Sequence, residues 1–548
     1  MSQKANTLKY LYFLLLIFLV FSIFQLFLSS KTNNIIPANL EYSPYPDTLH
    51  LLASDNLTAI SPYEAIFADD VFLINQVYQG LVKLDNHMVE VPDLAKYWIV
   101  DSAHTKYTFY LKKNQVFHNG EIVYADDVVE SLEYFLKNKK DSYIRPYFKV
   151  IKGAEEFWEG KSPHVEGIRR ESPYKLSFVL YHPYIPFLKL LSLPEAKIMP
   201  ASILRKDKVN LDDYPIGSGA YFIKEKTKSN ILLEAFNWDE RKGASVNIKY
   251  FQIWIDEKII SDRFEKNDFD ISYSHVRELR DPTNLFDMFQ SPSLSLTFLG
   301  INYKKSPTDN KNIRKALFYG IDQNKVREAY GSIASPVNFY CPLNLPRDIE
   351  SFPIQHYDYS TAETFLNKAL EQLNLNHIPK LLIAIDSTLY SNVIANVVLQ
   401  DLDSLGIPYN VNYYSDLSLE DEAKLIQKNN LFLFGWYMDV PDPEYFFDVL
   451  FNSKQSTNFM QYSNDIVDSL LHESYSNKHL ENRLKSYVKI EKILMDDVPI
   501  VPLLNDYEDV LYKKSLNNVM FNRIGIVGLD LSKVQINIDA RQKHLAHL

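Results

Sequence analysis

Apolar positions change their spacing near residue 296, and the change divides the chain. Before it, short runs alternate apolar and polar residues. Residues 49–54 and 175–180 read as strands, and 107–111 (Tyr-Thr-Phe-Tyr-Leu) reads as a strand with one face buried. Residues 69–84 read as helix or strand leading to a turn at Asp85-Asn86, and Asn119-Gly120 supplies a hairpin turn. Asp126 and Asp127 then open a helix with Val128, Val129, Leu132, Phe135 and Leu136 on one face. A short apolar helix is expected at 184–193 and a strand at 231–236. Between them, Pro215-Ile216-Gly217-Ser218-Gly219 lacks the Lys-Ser/Thr of a phosphate loop and predicts a sharp bend.

After residue 296 strands and helices alternate. Strands are expected at 296–302, 381–385, 409–413 and 431–434, with helices at 392–405 and 419–427 between them. Asp309 is the expected cap of one earlier helix, and Ser360 with Glu363 the capping box of another. That second helix carries Ala362, Phe365, Leu366, Ala369, Leu370 and Leu373 on one face. The period is that of βαβ units on a largely parallel sheet. A long helix (482–495), an apolar strand (498–504) and a polar tail close the chain.

The stretch 431–448 constrains function most. Four apolar residues, 431–434, suit a strand buried on both faces. Gly435, Trp436, Tyr437 and Asp439 follow, then the turn Val440-Pro441-Asp442-Pro443. A carboxylate beyond a strand's carboxyl end, beside aromatic rings, is how open α/β sheets build ligand sites. Taken by itself the segment also fits an ordinary loop cap.

Length predicts two or three lobes for 548 residues, and 46% hydrophobic with 14% aromatic content excludes a disordered chain. A net charge of -11, with no concentrated basic run, argues against nucleic acid. The lone Cys341 allows no internal disulfide and no cysteine-based zinc site. The 13 histidines show no metal-ligand spacing, so neither a metal nor another cofactor is expected. No Gly-x-Ser-x-Gly phrase and no cysteine–histidine pairing stands out, so an enzyme is not expected either.

Lys4 and Lys9 precede an apolar run, 11–28, long enough to span a bilayer. The expectation is an uncleaved signal-anchor with its positive flank in the cytoplasm and everything after about residue 35 outside. A cleaved signal is the alternative.

The ordered landmarks resemble the bacterial extracellular solute-binding proteins of family 5, the oligopeptide-, dipeptide- and nickel-binding group of ABC importers. The resemblance rests on Val77-Tyr78-Gln79-Gly80-Leu81, Val91-Pro92-Asp93-Leu94-Ala95 with Trp98, the phrase from Tyr107 to Val128, Pro215 to Tyr221, Ile301-Asn302 with Arg314, Ala316 and Ile321-Asp322, Gly435 to Pro443, and Tyr462-Ser463-Asn464. Ala220, Asn114 and Met438 depart from the family's pattern, as does the phrase 237–241. Leu433 stands where oligopeptide binders carry an arginine. The lipid-attachment cysteine is absent.

The resemblance implies an α/β class II periplasmic-binding-protein fold, two lobes with a hinge plus an inserted domain. The expected division is 1–38 as signal or anchor and linker, 39–76 with 206–297 and 506–548 as the first lobe, 77–205 as the insert, and 298–505 as the second lobe. It implies a periplasmic or extracytoplasmic receptor that closes on a peptide and delivers it to an ABC permease. Asp439 would hold the peptide's α-ammonium, with Trp436 and Tyr437 as pocket walls. A non-transport interaction role at the membrane, or a metal chelate or haem as ligand, are the alternatives.

Overall fold

The structure is a computed structural model. It describes residues 48–545 except 53–58, 66–67, 141, 143, 207–209, 228–229, 237–246, 252–268, 274–285, 332–333, 336, 338, 344, 348–355, 388, 416 and 418. The apolar run 11–28, the linker and the phrase 237–241 lie outside the described residues. Among the described residues no helix is long and apolar enough to cross a membrane.

Two α/β cores are strung along one mixed sheet. Its strands run in the order Tyr409–Tyr414, Leu381–Asp386, Leu431–Tyr437, Ser295–Ile301, Ile500–Lys513, Ile271–Tyr273, Thr48–Leu52, Asn247–Phe251, Asn230–Ala235 and Tyr221–Lys226. A separate four-stranded sheet pairs Ala95–Val100, Lys106–Leu111, Lys175–Val179 and Ile168–Ser172. One continuous apolar cluster takes in the residues 49–271 side, this smaller sheet and part of the C-terminus. The other is built from residues 294–504. The 14-residue strand Ile500–Lys513 belongs to both: residues 500–504 pair with Ser295–Ile301, and 507–513 with Phe286–Pro292.

The sheet of the second core is less parallel than the strand–helix period suggests. Leu381–Asp386 pairs in parallel with both Tyr409–Tyr414 and Leu431–Tyr437, but Ser295–Ile301 runs against Leu431–Tyr437 and Ile500–Lys513. The reason is the crossover: Ser295–Ile301 arrives from the first core while Ile500–Lys513 returns to it. Leu431–Tyr437, antiparallel to the arriving strand, also heads back toward the first core. Its carboxyl end therefore reaches the junction between the lobes.

Several local expectations shift. The strand expected at 431–434 continues through Gly435 and Trp436 to Tyr437, because Ser295–Ile301 offers partners along its whole length. The helix Lys311–Gly320 is capped by Asn310, not Asp309; its side chain accepts from the Asn312 and Ile313 N–H groups at 2.8 and 3.3 Å. Tyr359–Leu373 starts before Ser360, so Asp358, the last extended residue, is its cap and accepts from Thr361 N–H at 3.1 Å. The polar tail is folded: Leu516, Ile526, Leu529, Leu531 and Val534 are buried, and Arg541 of Ile538–Leu545 donates to Asp270 at 2.8 Å. The Gly217–Gly219 bend lies against the end of the helix Ala68–Val77. A Cβ at Gly217 would collide with the Val77 carbonyl oxygen, and one at Gly219 with that of Gln76. Close backbone approach, not anion binding, requires these glycines.

Candidate ligand-binding cleft

Leu431, Phe432 and Leu433 are buried, and exposure grows along the strand until Gly435, Trp436 and Tyr437 open onto a cavity of about 960 Å³. Asp439 follows in the turn and lines the same cavity. Among the described residues its carboxylate has no hydrogen-bond or ion-pair partner. Asp439 is an exposed residue of the turn, yet the protein mass around its carboxyl pushes it up to about 7. Burial is the whole cause, as expected for a charge set down without a counter-ion.

Trp436 and Tyr437 also line the cavity. Each has a structural tie. The Trp436 indole N–H donates to the Tyr445 carbonyl at 3.3 Å. Tyr437 lies against Glu508; burial and that carboxylate raise its phenol well above the usual value. Burial, reinforced by Asp506, pushes Glu508 up to about 7.

The opposite walls come from the first core: the helix Ala68–Val77, residues 83–93, 192–197, 218–220 and 518–533. Most cations there are already engaged. Lys83 and Lys533 reach Asp530 at 3.0 and 3.6 Å, and Lys139 pairs with Glu64. Lys197 differs, being 3% exposed with no hydrogen bond or ion pair to its ammonium among the described residues. Burial pushes the nearby Glu195 up to about 7.

Behind Asp439 stands a buried polar network. The helix Glu444–Phe451 is buried on every side; Tyr445 and Val449 join the first core, and Phe446, Phe447, Leu450 and Phe451 the second. Arg483 grips Asp442 with two donors, one at 2.8 Å, and reaches Glu444 at 3.4 Å and the Tyr487 hydroxyl at 3.0 Å. From the other side, Tyr184 donates to Glu444 at 3.0 Å, Tyr147 to Asp448 at 3.1 Å, and Lys189 to the Pro441 carbonyl at 3.0 Å. Burial pushes Asp442 up, but Arg483 and Lys189 outweigh it and hold this carboxyl below the ordinary range. For Glu444 burial wins and its carboxyl is raised well above the usual value.

The sequence-derived candidates Asp439, Trp436 and Tyr437 thus lie together on one wall. Lys197, Glu195 and Asp93, on the facing walls, were not singled out as site residues. Asp93 belongs to a family phrase, but Lys197 sits in no motif, and only the fold brings it to the cavity. Leu433 and Met438 are in the second core. His118 is wedged between Gly217 N–H (3.3 Å) and the Gly219 carbonyl (3.1 Å), outside the cavity lining, and burial pushes it down to about 4. Cys341 is buried, which raises its thiol far above the usual value.

Comparison with known proteins fits this geometry. The profile described as "Bacterial extracellular solute-binding proteins, family 5 Middle" matches residues 90–458. The "Dipeptide-binding protein" of Escherichia coli (strain K12) is 24% identical over 455 residues, 77% of this chain and 82% of the relative. The "Probable di/tripeptide-binding protein 5" of Pseudomonas aeruginosa (strain UCBPP-PA14) is 25% identical over 473 residues, 81% and 87%. The solved structure of Listeria monocytogenes OppA bound to peptide superposes with a TM-score of 0.74 at 21% identity, over 89% of this chain and 99% of that one.

The fold is that of the two-lobed periplasmic binding proteins. The chain belongs to the bacterial extracellular solute-binding proteins, family 5, whose members are binding receptors and not enzymes.

Proposed function

We propose that the protein is an extracytoplasmic receptor for short peptides, closing on them between its lobes and handing them to an ABC import permease. The observation that carries this reading is Asp439, an unpaired carboxylate at the mouth of a strand, facing a cavity large enough for a small ligand. By the family resemblance it would be the partner of a peptide's α-ammonium, and two relatives named for dipeptide or di/tripeptide binding support the ligand class. The moving units would be 39–76 with 206–297 and 506–548, the insert 77–205, and the second lobe 298–505, with the crossover strands as hinge.

The pH dependence of binding tests the role of Asp439. In the empty protein its carboxyl is pushed up to about 7, so its contribution to stability falls as pH rises from about 4, where the unfolded chain ionises, to about 7, and is level above that. A bound ammonium favours the ionised form, and binding below pH 7 therefore releases a proton. Affinity for a free-amine dipeptide such as Ala-Ala should climb between about pH 5 and pH 7, approaching tenfold per unit. It should fall again near about pH 8 as the ligand's amine deprotonates. Calorimetric titration showing no pH dependence over that range would refute the assignment.

The apolar run 11–28 would hold the receptor at the outer face of the cytoplasmic membrane. The full chain should then stay with membranes through an alkaline wash, and deletion of 11–28 should release it. Release of the intact chain would favour a free periplasmic protein instead.

A further inference from the structure

The reading of the cleft as a peptide site accounts for Asp439 but leaves a second charge unexplained. Lys197 follows the short turn Pro194–Ala196 on the wall facing the strand Leu431–Tyr437. It is 97% buried, yet its ammonium touches no acceptor among the described residues. A buried lysine without a partner is costly, and structural lysines in such places are normally paired. Its nitrogen is not among the buried atoms sealed from solvent without a hydrogen bond, so it opens onto the cavity it lines.

The carboxylate that Lys197 senses most is Asp93, beyond ion-pair reach. The Asp93 oxygens are already occupied by the Gln79 amide at 2.6 Å and the Gly80 N–H at 3.0 Å. Lys83, on the same wall, opposes the charge on Lys197 and is itself paired with Asp530. Lys197 and Asp439 do not sense each other: burial alone shifts Asp439. They are two separate, opposite, unsatisfied charges facing one cavity.

On the strand Leu431–Tyr437 and its following turn, which form the second core's share of the lining, no basic residue is present, and Leu433 is a core residue. An anionic group on the ligand has to find its counter-ion on the first core's walls. There Lys83, Lys139 and Lys533 are taken, and Lys112, the other lysine of the lining, has an interaction of its own.

We infer that Lys197 is a specificity-determining residue of the cleft, receiving a carboxylate of the ligand while Asp439 holds its ammonium. The bound solute is then a zwitterion laid across the junction of the two cores, with one charge held by each. Burial pushes the Lys197 ammonium down to about 8, so it is mostly charged at neutral pH and a bound carboxylate holds it so. Two sources can supply the carboxylate, the peptide's own C-terminus or an acidic side chain.

Titration calorimetry of the full chain with Ala-Ala, Ala-Ala-amide, Ala-Glu-amide and N-acetyl-Ala-Ala tests the inference, which rests on the peptide reading. The wild type should prefer Ala-Ala or Ala-Glu-amide over Ala-Ala-amide by about tenfold or more, and the preferred one names the source of the carboxylate. In Lys197→Met that preference should collapse while discrimination against N-acetyl-Ala-Ala persists. Because the lysine lacks a partner in the empty protein, the variant's melting temperature without ligand should be unchanged or higher. A purely structural lysine would instead lower it and leave the acid-over-amide preference intact, which overturns the inference. Equal affinity of the wild type for all three free-amine probes also overturns it, with the peptide reading standing. No binding of any probe removes both.

Discussion

Arg483→Met should lose about 3–5 kcal/mol of folding stability, the range for removing one partner of a buried ion pair. Arg483 is 1% exposed and supplies the two charged donors that hold Asp442, itself 3% exposed; the Glu444 backbone N–H adds a third at 3.1 Å. Without it Asp442 keeps only Lys189, at 3.6 Å, as a counter-charge. Glu444 sits beside it, its own carboxyl raised well above the usual value by burial, and supplies no counter-charge. Denaturant unfolding measures the loss. Adding Asp442→Asn should recover part of it, because the orphaned charge is then gone. A loss below about 1 kcal/mol would mean that water or a rearranged Lys189 compensates, and that the network does not brace the lobe junction.

The second large effect is on binding. Asp439→Asn keeps the shape of the turn and removes the charge, and the peptide's ammonium is left in a closed cleft without its counter-ion. Affinity for Ala-Ala should fall by about 2–5 kcal/mol, the cost of truncating one partner of a desolvated charge pair. N-acetyl-Ala-Ala, which brings no ammonium, should bind wild type and variant alike. Equal loss for both peptides would make Asp439 a shaping residue of the turn and not an ammonium anchor. The empty variant should also be more stable than wild type, by a margin that opens above about pH 4 and is complete by about pH 7, because the folded protein disfavours the ionised Asp439 carboxylate.

Sequence pattern made the elements near Asp439 readable and left most of the cleft hidden. The strand expected at 409–413 is Tyr409–Tyr414, and the helix Leu419–Gln427 has the expected bounds, because both are carried by local periodicity. Strand direction was not local information. Nothing between residues 296 and 302 says that they enter from another core, and that entry makes the sheet mixed. The same holds for the site. Asp439 could be nominated because Gly435–Pro443 is a contiguous phrase at a strand end. Lys197 is 242 residues away in sequence and becomes a neighbour of the cleft only through the packing of the first core. The capping errors have a simpler cause. Asp309 and Asn310 are both good caps, and Asp358 precedes two residues already in the helix, so composition alone could not rank them.

The strand Ile500–Lys513 also sets a timetable for the newborn chain. Thr48–Leu52, the first described strand, lies between Asn247–Phe251 and Ile271–Tyr273, and the latter pairs with residues 510–512. Neither core's part of the mixed sheet is complete until more than nine-tenths of the polypeptide has been made. Pairings of such long sequence separation form slowly, since the loops they close must be ordered before any contact repays them. The sheet's inner edges stay open until then, and a late segment near residue 500 joins its two halves.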